Sequence, residues 1–120
     1  MKNILVVDDS PTALFDINNK LQGIDFQSKV FSSSNVDDAR VILETNSIDL
    51  AIIDLQMPDK NGADLIVFMK SDSQMKNIPI IVLTGSGSES LLRTSLEPMV
   101  NHYLNKPVSE EQLLKVLLEF

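Results

Sequence analysis

Three stretches, Ile4-Leu5-Val6-Val7, Leu50-Ala51-Ile52-Ile53 and Ile80-Ile81-Val82-Leu83, decide the fold of this chain. Each is a short apolar run, rich in β-branched side chains and free of polar alternation. A strand wetted on one side alternates, whereas a strand covered on both faces does not. The runs therefore predict the central strands of a parallel sheet. Ser28-Lys29-Val30-Phe31 and His102-Tyr103-Leu104 mix polar with apolar residues and suit the two edges.

Helical patterns fill the gaps. Ser10-Pro11 reads as an N-cap followed by proline at the first helical position, with Leu14, Ile17 and Leu21 recurring at helical spacing. Asn35 to Glu44 carries Val36, Ala39, Ile42 and Leu43 on one face, and Asn61 to Lys70 carries Leu65, Ile66 and Met69. A shorter fourth helix is expected over Ser88 to Leu96. Ser109-Glu110-Glu111-Gln112 matches a capping box ahead of Leu113, Leu114, Leu117 and Leu118. Phe15, Phe26, Phe31, Phe68 and Phe120 are read mostly as core or helix-cover residues. Five strands alternating with five helices imply a doubly wound α/β fold with right-handed crossovers. With the polar second and fifth strands at the edges, the economical order is 2-1-3-4-5, as in flavodoxin-like sheets.

Composition bounds the rest. A length of 120 residues fits one domain over 1–120, and 43% hydrophobic with 22% charged residues excludes a disordered chain. No apolar run approaches the roughly 20 residues of a membrane span. Met1-Lys2-Asn3 leads into the first strand without a cleavage-like site, so no signal peptide is expected. The absence of cysteine removes disulfide and thiolate chemistry and fits a cytoplasmic location. A net charge of −7 repels the phosphate backbone, so nucleic acid is not an expected partner.

In an open parallel sheet, ligands bind beyond the carboxyl ends of the strands, where the strand order reverses. Asp8 and Asp9 follow the first strand, Asp54 the third, Thr84 the fourth, and Asn105 and Lys106 the fifth. Two carboxylates about 4 Å apart repel by about 4 kcal/mol at an effective dielectric near 20, so three of them call for a cation. Hard oxygen donors without His or Cys select Mg²⁺ over zinc or copper. A carboxylate is also a nucleophile toward phosphorus, with Thr84 a donor to a phosphoryl oxygen and Lys106 a neutralising charge. Each residue alone has a plainer reading: helix-start acids, a turn former, a strand-end hydroxyl, a solvated lysine. Their arrival at one sheet edge favours a shared site.

With these motifs on the page, the chain resembles the receiver domain of bacterial two-component response regulators, over essentially its whole length. The marks are Ile4 through Asp9, then Asp54-Leu55-Gln56-Met57-Pro58 with Gly62, then Leu83-Thr84-Gly85, then Tyr103-Leu104-Asn105-Lys106-Pro107. That family's strand order is also 2-1-3-4-5, so the two arguments for the order are not independent. The resemblance implies that Asp54 is the phosphoacceptor. It implies that Asp9, Asp54 and the Gln56 carbonyl ligate Mg²⁺, with Mn²⁺ as a substitute, and that Asp8 assists directly or through water. Thr84 and Lys106 resemble the switch pair, Tyr103 the aromatic that turns inward, and Lys106-Pro107 a cis bond. Gln56 and Ser86 are expected to tune how long the phosphoryl group lasts.

The implied function is a phosphorylation-dependent switch, not a turnover enzyme. A sensor histidine kinase, a histidine phosphotransfer protein or a small acyl phosphate supplies the phosphoryl group. The readout is a repacked face of fourth helix, fifth strand and fifth helix, which meets an effector, a tethered output domain or a second copy of the chain. Pro98 departs from the family's usual glycine-containing turn. Gly85-Ser86-Gly87-Ser88 lacks the Gly-Lys-Ser/Thr ending of a phosphate loop, and His102 has no partners for a zinc site. Rival readings are an aspartate-nucleophile phosphatase or phosphotransferase, which usually needs an acid where Gln56 stands, and a phosphorylation-independent interaction module. A flavin-binding relative is disfavoured by the acids where its phosphate would sit.

Overall fold

A computed structural model describes residues 2–23, 28–55, 62–84, 99–106 and 108–119. Its strands are β1 (Lys2–Val7), β2 (Ser28–Ser33), β3 (Leu50–Asp54), β4 (Ile80–Thr84) and β5 (His102–Asn105). All neighbouring pairs are parallel, in the order β2-β1-β3-β4-β5. Every residue of β3 and β4 is buried, as their unbroken apolar runs require, while β2 and β5 are mostly half-buried edges.

The described helices are α1 (Pro11–Gly23), α2 (Val36–Thr45), α3 (Gly62–Ser71) and, at the C-terminal end, α4 (Glu110–Leu117). The helix expected over Ser88 to Leu96 lies outside the described residues, as do Pro98, the Gly85-to-Ser88 segment and the Lys106-Pro107 bond. The caps read from sequence at Ser10 and Ser109 have their hydrogen bonds, and the structure adds Asn35 as the N-cap of α2. Ser10 Oγ accepts from the Ala13 N–H at 3.2 Å, and Asn35 Oδ1 from the Asp38 N–H at 2.8 Å. At α4 both halves of the capping box form: Ser109 Oγ accepts from Gln112 N–H, and Gln112 Oε1 from Ser109 N–H.

Alternation along the strands builds two cores. Leu5, Val7, Ala51, Ile53, Ile80 and Val82 pack with α2 and α3. Ile4, Val6, Leu50, Ile52, Ile81 and Leu83 pack with α1 and α4. Three apolar side chains depart from the expected burial: Phe15 is 68% exposed, Leu118 71% and Leu114 37%. Each sits roughly 100° around its helix from an inward neighbour, Leu14, Leu117 or Leu113, and so turns toward solvent. Phe31 and Phe68 pack against the first core as expected, and Phe26 and Phe120 lie outside the described residues. Among the described residues, no helix is long and apolar enough to cross a membrane.

Candidate functional site

Backbone pairing between strands fixes the site residues at the carboxyl edge. The Asp8 N–H donates to the Ser33 carbonyl at 3.0 Å, tying the end of β1 to β2. Asp54 closes β3 opposite Leu83, and Thr84 closes β4 opposite Asn105. The Lys106 N–H then donates to the Thr84 carbonyl at 2.8 Å. Because successive side chains point to opposite faces, the edge divides into two groups. Asp8, Asp54 and Lys106 continue the parity of Val6, Ile52 and Leu104, toward α1 and α4. Thr84, Asn105 and Tyr103 continue the parity of Val82, toward the face of α2 and α3.

The structure brings Asp8, Asp9 and Asp54 together: one carboxylate oxygen from each lies within 4.8 Å of the others. Asp8 and Asp54 are buried, with Asp9 at the exposed rim. Lys106 Nζ stands 2.7 Å from Asp8 Oδ2 and 3.2 Å from Asp54 Oδ2, bridging the two buried acids. Burial is the largest single influence on this ammonium and lowers its pKa. The hydrogen bond and charge of Asp8 and the charge of Asp54 together outweigh it, holding Lys106 above the ordinary lysine value. Asp8 Oδ1 also accepts from the Ser10 N–H at 3.0 Å.

One ammonium against three carboxylates leaves the edge with an excess of negative charge. Apart from Lys106, the enclosed Asp8 Oδ2 has no donor within reach among the described residues. A buried carboxylate oxygen left this way, in an all-oxygen donor set, fits a hard divalent cation such as Mg²⁺. Gln56 and Ser86, expected as a ligand and as modulators, lie outside the described residues.

Two residues acquire roles that their place in the sequence did not supply. A Cβ on Gly62 would lie 2.3 Å from the Asp54 carbonyl oxygen and 2.7 Å from Ile53 Cγ2. Its N–H donates to the Leu55 carbonyl at 3.0 Å, so α3 begins in direct contact with the strand end that carries Asp54. Glycine at the start of a helix after a strand is the available sequence signal. The second is Asn105, whose Oδ1 accepts the Thr84 hydroxyl proton at 2.9 Å. Tyr103 is half-buried and packs against the α2–α3 core. His102, read from sequence as an edge-strand residue, stands at the start of β5 and contacts the Glu119 carboxylate at 3.0 Å, away from the site.

Comparison with known proteins matches this architecture. The family model described as the response regulator receiver domain aligns with residues 4–118. Chemotaxis protein CheY1 of Helicobacter pylori is 35% identical over 116 residues, covering 97% of this chain and 93% of that protein. A segment of the sensor histidine kinase GacS of Pseudomonas protegens is 32% identical over 120 residues, covering 98% of this chain and 13% of the kinase. Among solved structures, a response regulator receiver domain from Clostridium thermocellum superposes with a TM-score of 0.85 at 29% identity, covering 99% of this chain and 93% of that one. The phosphorylation switch is general to that family. With the sheet order, the acidic edge and the lysine in place, the chain belongs to the response regulator receiver domains of two-component signalling.

Proposed function

We propose that Asp54 is the phosphoacceptor and that the carboxyl edge catalyses its own phosphorylation. The carrying observation is the triad of carboxylates within 4.8 Å of one another with Lys106 bridging Asp8 and Asp54. Asp54 Oδ attacks the phosphorus of a phosphohistidine. A P–O bond forms as the P–N bond breaks, and the departing imidazole keeps the electron pair. With a small acyl phosphate the bond broken is P–O, and a carboxylate leaves. Asp8, Asp9 and Asp54 would hold Mg²⁺, which when bound supplies positive charge against the equatorial phosphoryl oxygens. Lys106, charged at all physiological pH, releases a carboxylate contact and meets a phosphoryl oxygen instead. Water attack at the same phosphorus returns phosphate and the free carboxylate.

On this reading the response lies on the other face. A dianionic phosphoryl group attracts the Thr84 hydroxyl, and its movement frees space for Tyr103. Exposed Leu114 on α4 and Leu118 at its C-cap, one turn apart, give the adjoining surface an apolar stripe for an effector, an output domain or a second copy. The cognate donor is a histidine kinase or phosphotransfer protein, in the cytoplasm.

Incubation with acetyl phosphate and Mg²⁺ tests the reading. A stoichiometric adduct mapped to Asp54 and absent from Asp54→Ala supports a switch. Sustained phosphate release at many turnovers supports a phosphatase instead, and no adduct defeats the phosphoacceptor assignment. Signalling retained in full by Asp54→Ala would favour the phosphorylation-independent module.

A further inference from the structure

A threonine hydroxyl has one proton to donate, and in this structure Thr84 gives it to the wrong partner for a phosphoryl sensor. Thr84 is buried, and its Oγ1 donates to Asn105 Oδ1 at 2.9 Å. The pairing is built into the sheet: Thr84 and Asn105 are opposite one another in the β4–β5 register and project to the same face. Asp8, Asp54 and Lys106 project to the other face, and the Lys106 ammonium is committed to Asp8 and Asp54.

We propose that Asn105 is a positioning residue that holds the Thr84 hydroxyl in the unphosphorylated arrangement. The inference rests on the switch reading above, in which the same proton must be given to a phosphoryl oxygen. Forming that bond requires breaking the one to Asn105, so the side-chain carbonyl of Asn105 competes directly with the phosphoryl group. Asn105 is exposed at the edge strand, so water takes over its amide once Thr84 leaves, and the cost of release is that of one ordinary hydrogen bond. A residue without an acceptor at 105 removes that competition. The unphosphorylated state then loses a bond, while the phosphorylated state keeps all of its own.

Beryllofluoride with Mg²⁺ tests this, because it mimics a phosphoryl group on a carboxylate without group transfer. Tyr103 is the only tyrosine and the chain has no tryptophan, so intrinsic fluorescence reports on the responding residue alone. Asn105→Val, β-branched and at home in a strand, should bind beryllofluoride about fivefold more tightly than wild type. Asn105→Leu should behave alike, and urea midpoints for both variants establish that each is folded. In a Thr84→Ala background, the Asn105→Val change should leave the affinity unaltered, because the shared proton is gone. Unchanged or weaker binding by both single variants overturns the proposal, and so does equal tightening in the Thr84→Ala background. If wild type itself takes neither beryllofluoride nor a phosphoryl group from acetyl phosphate, the switch reading falls first and this inference with it.

Discussion

Neutralising Asp9 tests whether the acidic edge trades stability for cation binding. Its carboxylate lies within 4.8 Å of both Asp8 and Asp54 but at the exposed rim. At that separation each pair repels by about 0.9 kcal/mol in bulk dielectric, and screening at physiological salt roughly halves the effect. Two such pairs put the cost near 1 kcal/mol. Asp9→Asn, in chelator, should therefore be more stable than wild type by about 1 kcal/mol, or about 4 °C in melting temperature for a domain of this size. Mg²⁺ reverses the order. A ligand at ten times its dissociation constant stabilises the folded state by about 1.4 kcal/mol, a gain that wild type should show and the variant should largely lose. The assay is thermal or urea unfolding across a MgCl₂ series, with NaCl added to hold ionic strength constant. The reasoning is refuted if Asp9→Asn is the less stable protein in chelator. It is equally refuted if both proteins gain the same increment from Mg²⁺.

Gly62→Ala should cost about 1–3 kcal/mol in urea unfolding, because the new Cβ meets the Asp54 carbonyl at 2.3 Å and forces strand end and helix apart. The same variant should accept phosphate from acetyl phosphate more slowly, and wild-type values on both counts would contradict the contact. In chelator at neutral pH, Lys106→Met should lose about 1–3 kcal/mol, less than a fully enclosed pair because the side chain is 30% exposed. Since the Lys106 pKa is raised, its stabilisation is complete below the ordinary value of 10.5 and fades as pH rises through the higher folded-state pKa. Urea midpoints of the two proteins should then converge only in strongly alkaline solution, and convergence near neutrality would be contrary. Ser109→Ala removes the acceptor for Gln112 N–H and should lower stability by about 1 kcal/mol, without changing phosphorylation. A rate change there would place the cap in the chemistry.

Signals that act over a few residues were readable before any coordinates. Unbroken apolar runs marked β1, β3 and β4, mixed runs marked the edges, and serine caps placed two helix starts. The convergence of Asp8, Asp9, Asp54, Thr84 and Lys106 also followed, because topology alone carries strand ends to one edge. What escaped depends on register and rotation. Phe15, Leu114 and Leu118 satisfy a loose helical pattern, yet a small rotation about the helix axis decides which flank meets the sheet. The Asn105–Thr84 bond needs the β4–β5 register, and the Gly62 contact needs the approach of α3 to β3. Neither is encoded in the spacing of residues along the chain.

The division of the edge into two faces limits what any single residue contributes to switching. On the proposed switch reading, charge would change at Asp54, on the side of α1 and α4, and Tyr103 would respond on the side of α2 and α3. Thr84 stands between them at the end of β4. Exchanging its Asn105 hydrogen bond for a phosphoryl one replaces a neutral acceptor with a charged one, a gain of about 1–2 kcal/mol. Driving a two-state equilibrium from 1:99 to 99:1 needs about 5.5 kcal/mol of differential affinity. Thr84 alone therefore falls well short. On the proposed reading the remainder would come from Lys106 exchanging its carboxylate contacts for the phosphoryl group and from the repacking of Tyr103, so Thr84→Val should weaken the response without abolishing it. A complete loss on that substitution, with beryllofluoride still bound, would mean that the two faces communicate through the Thr84 hydroxyl and nothing else.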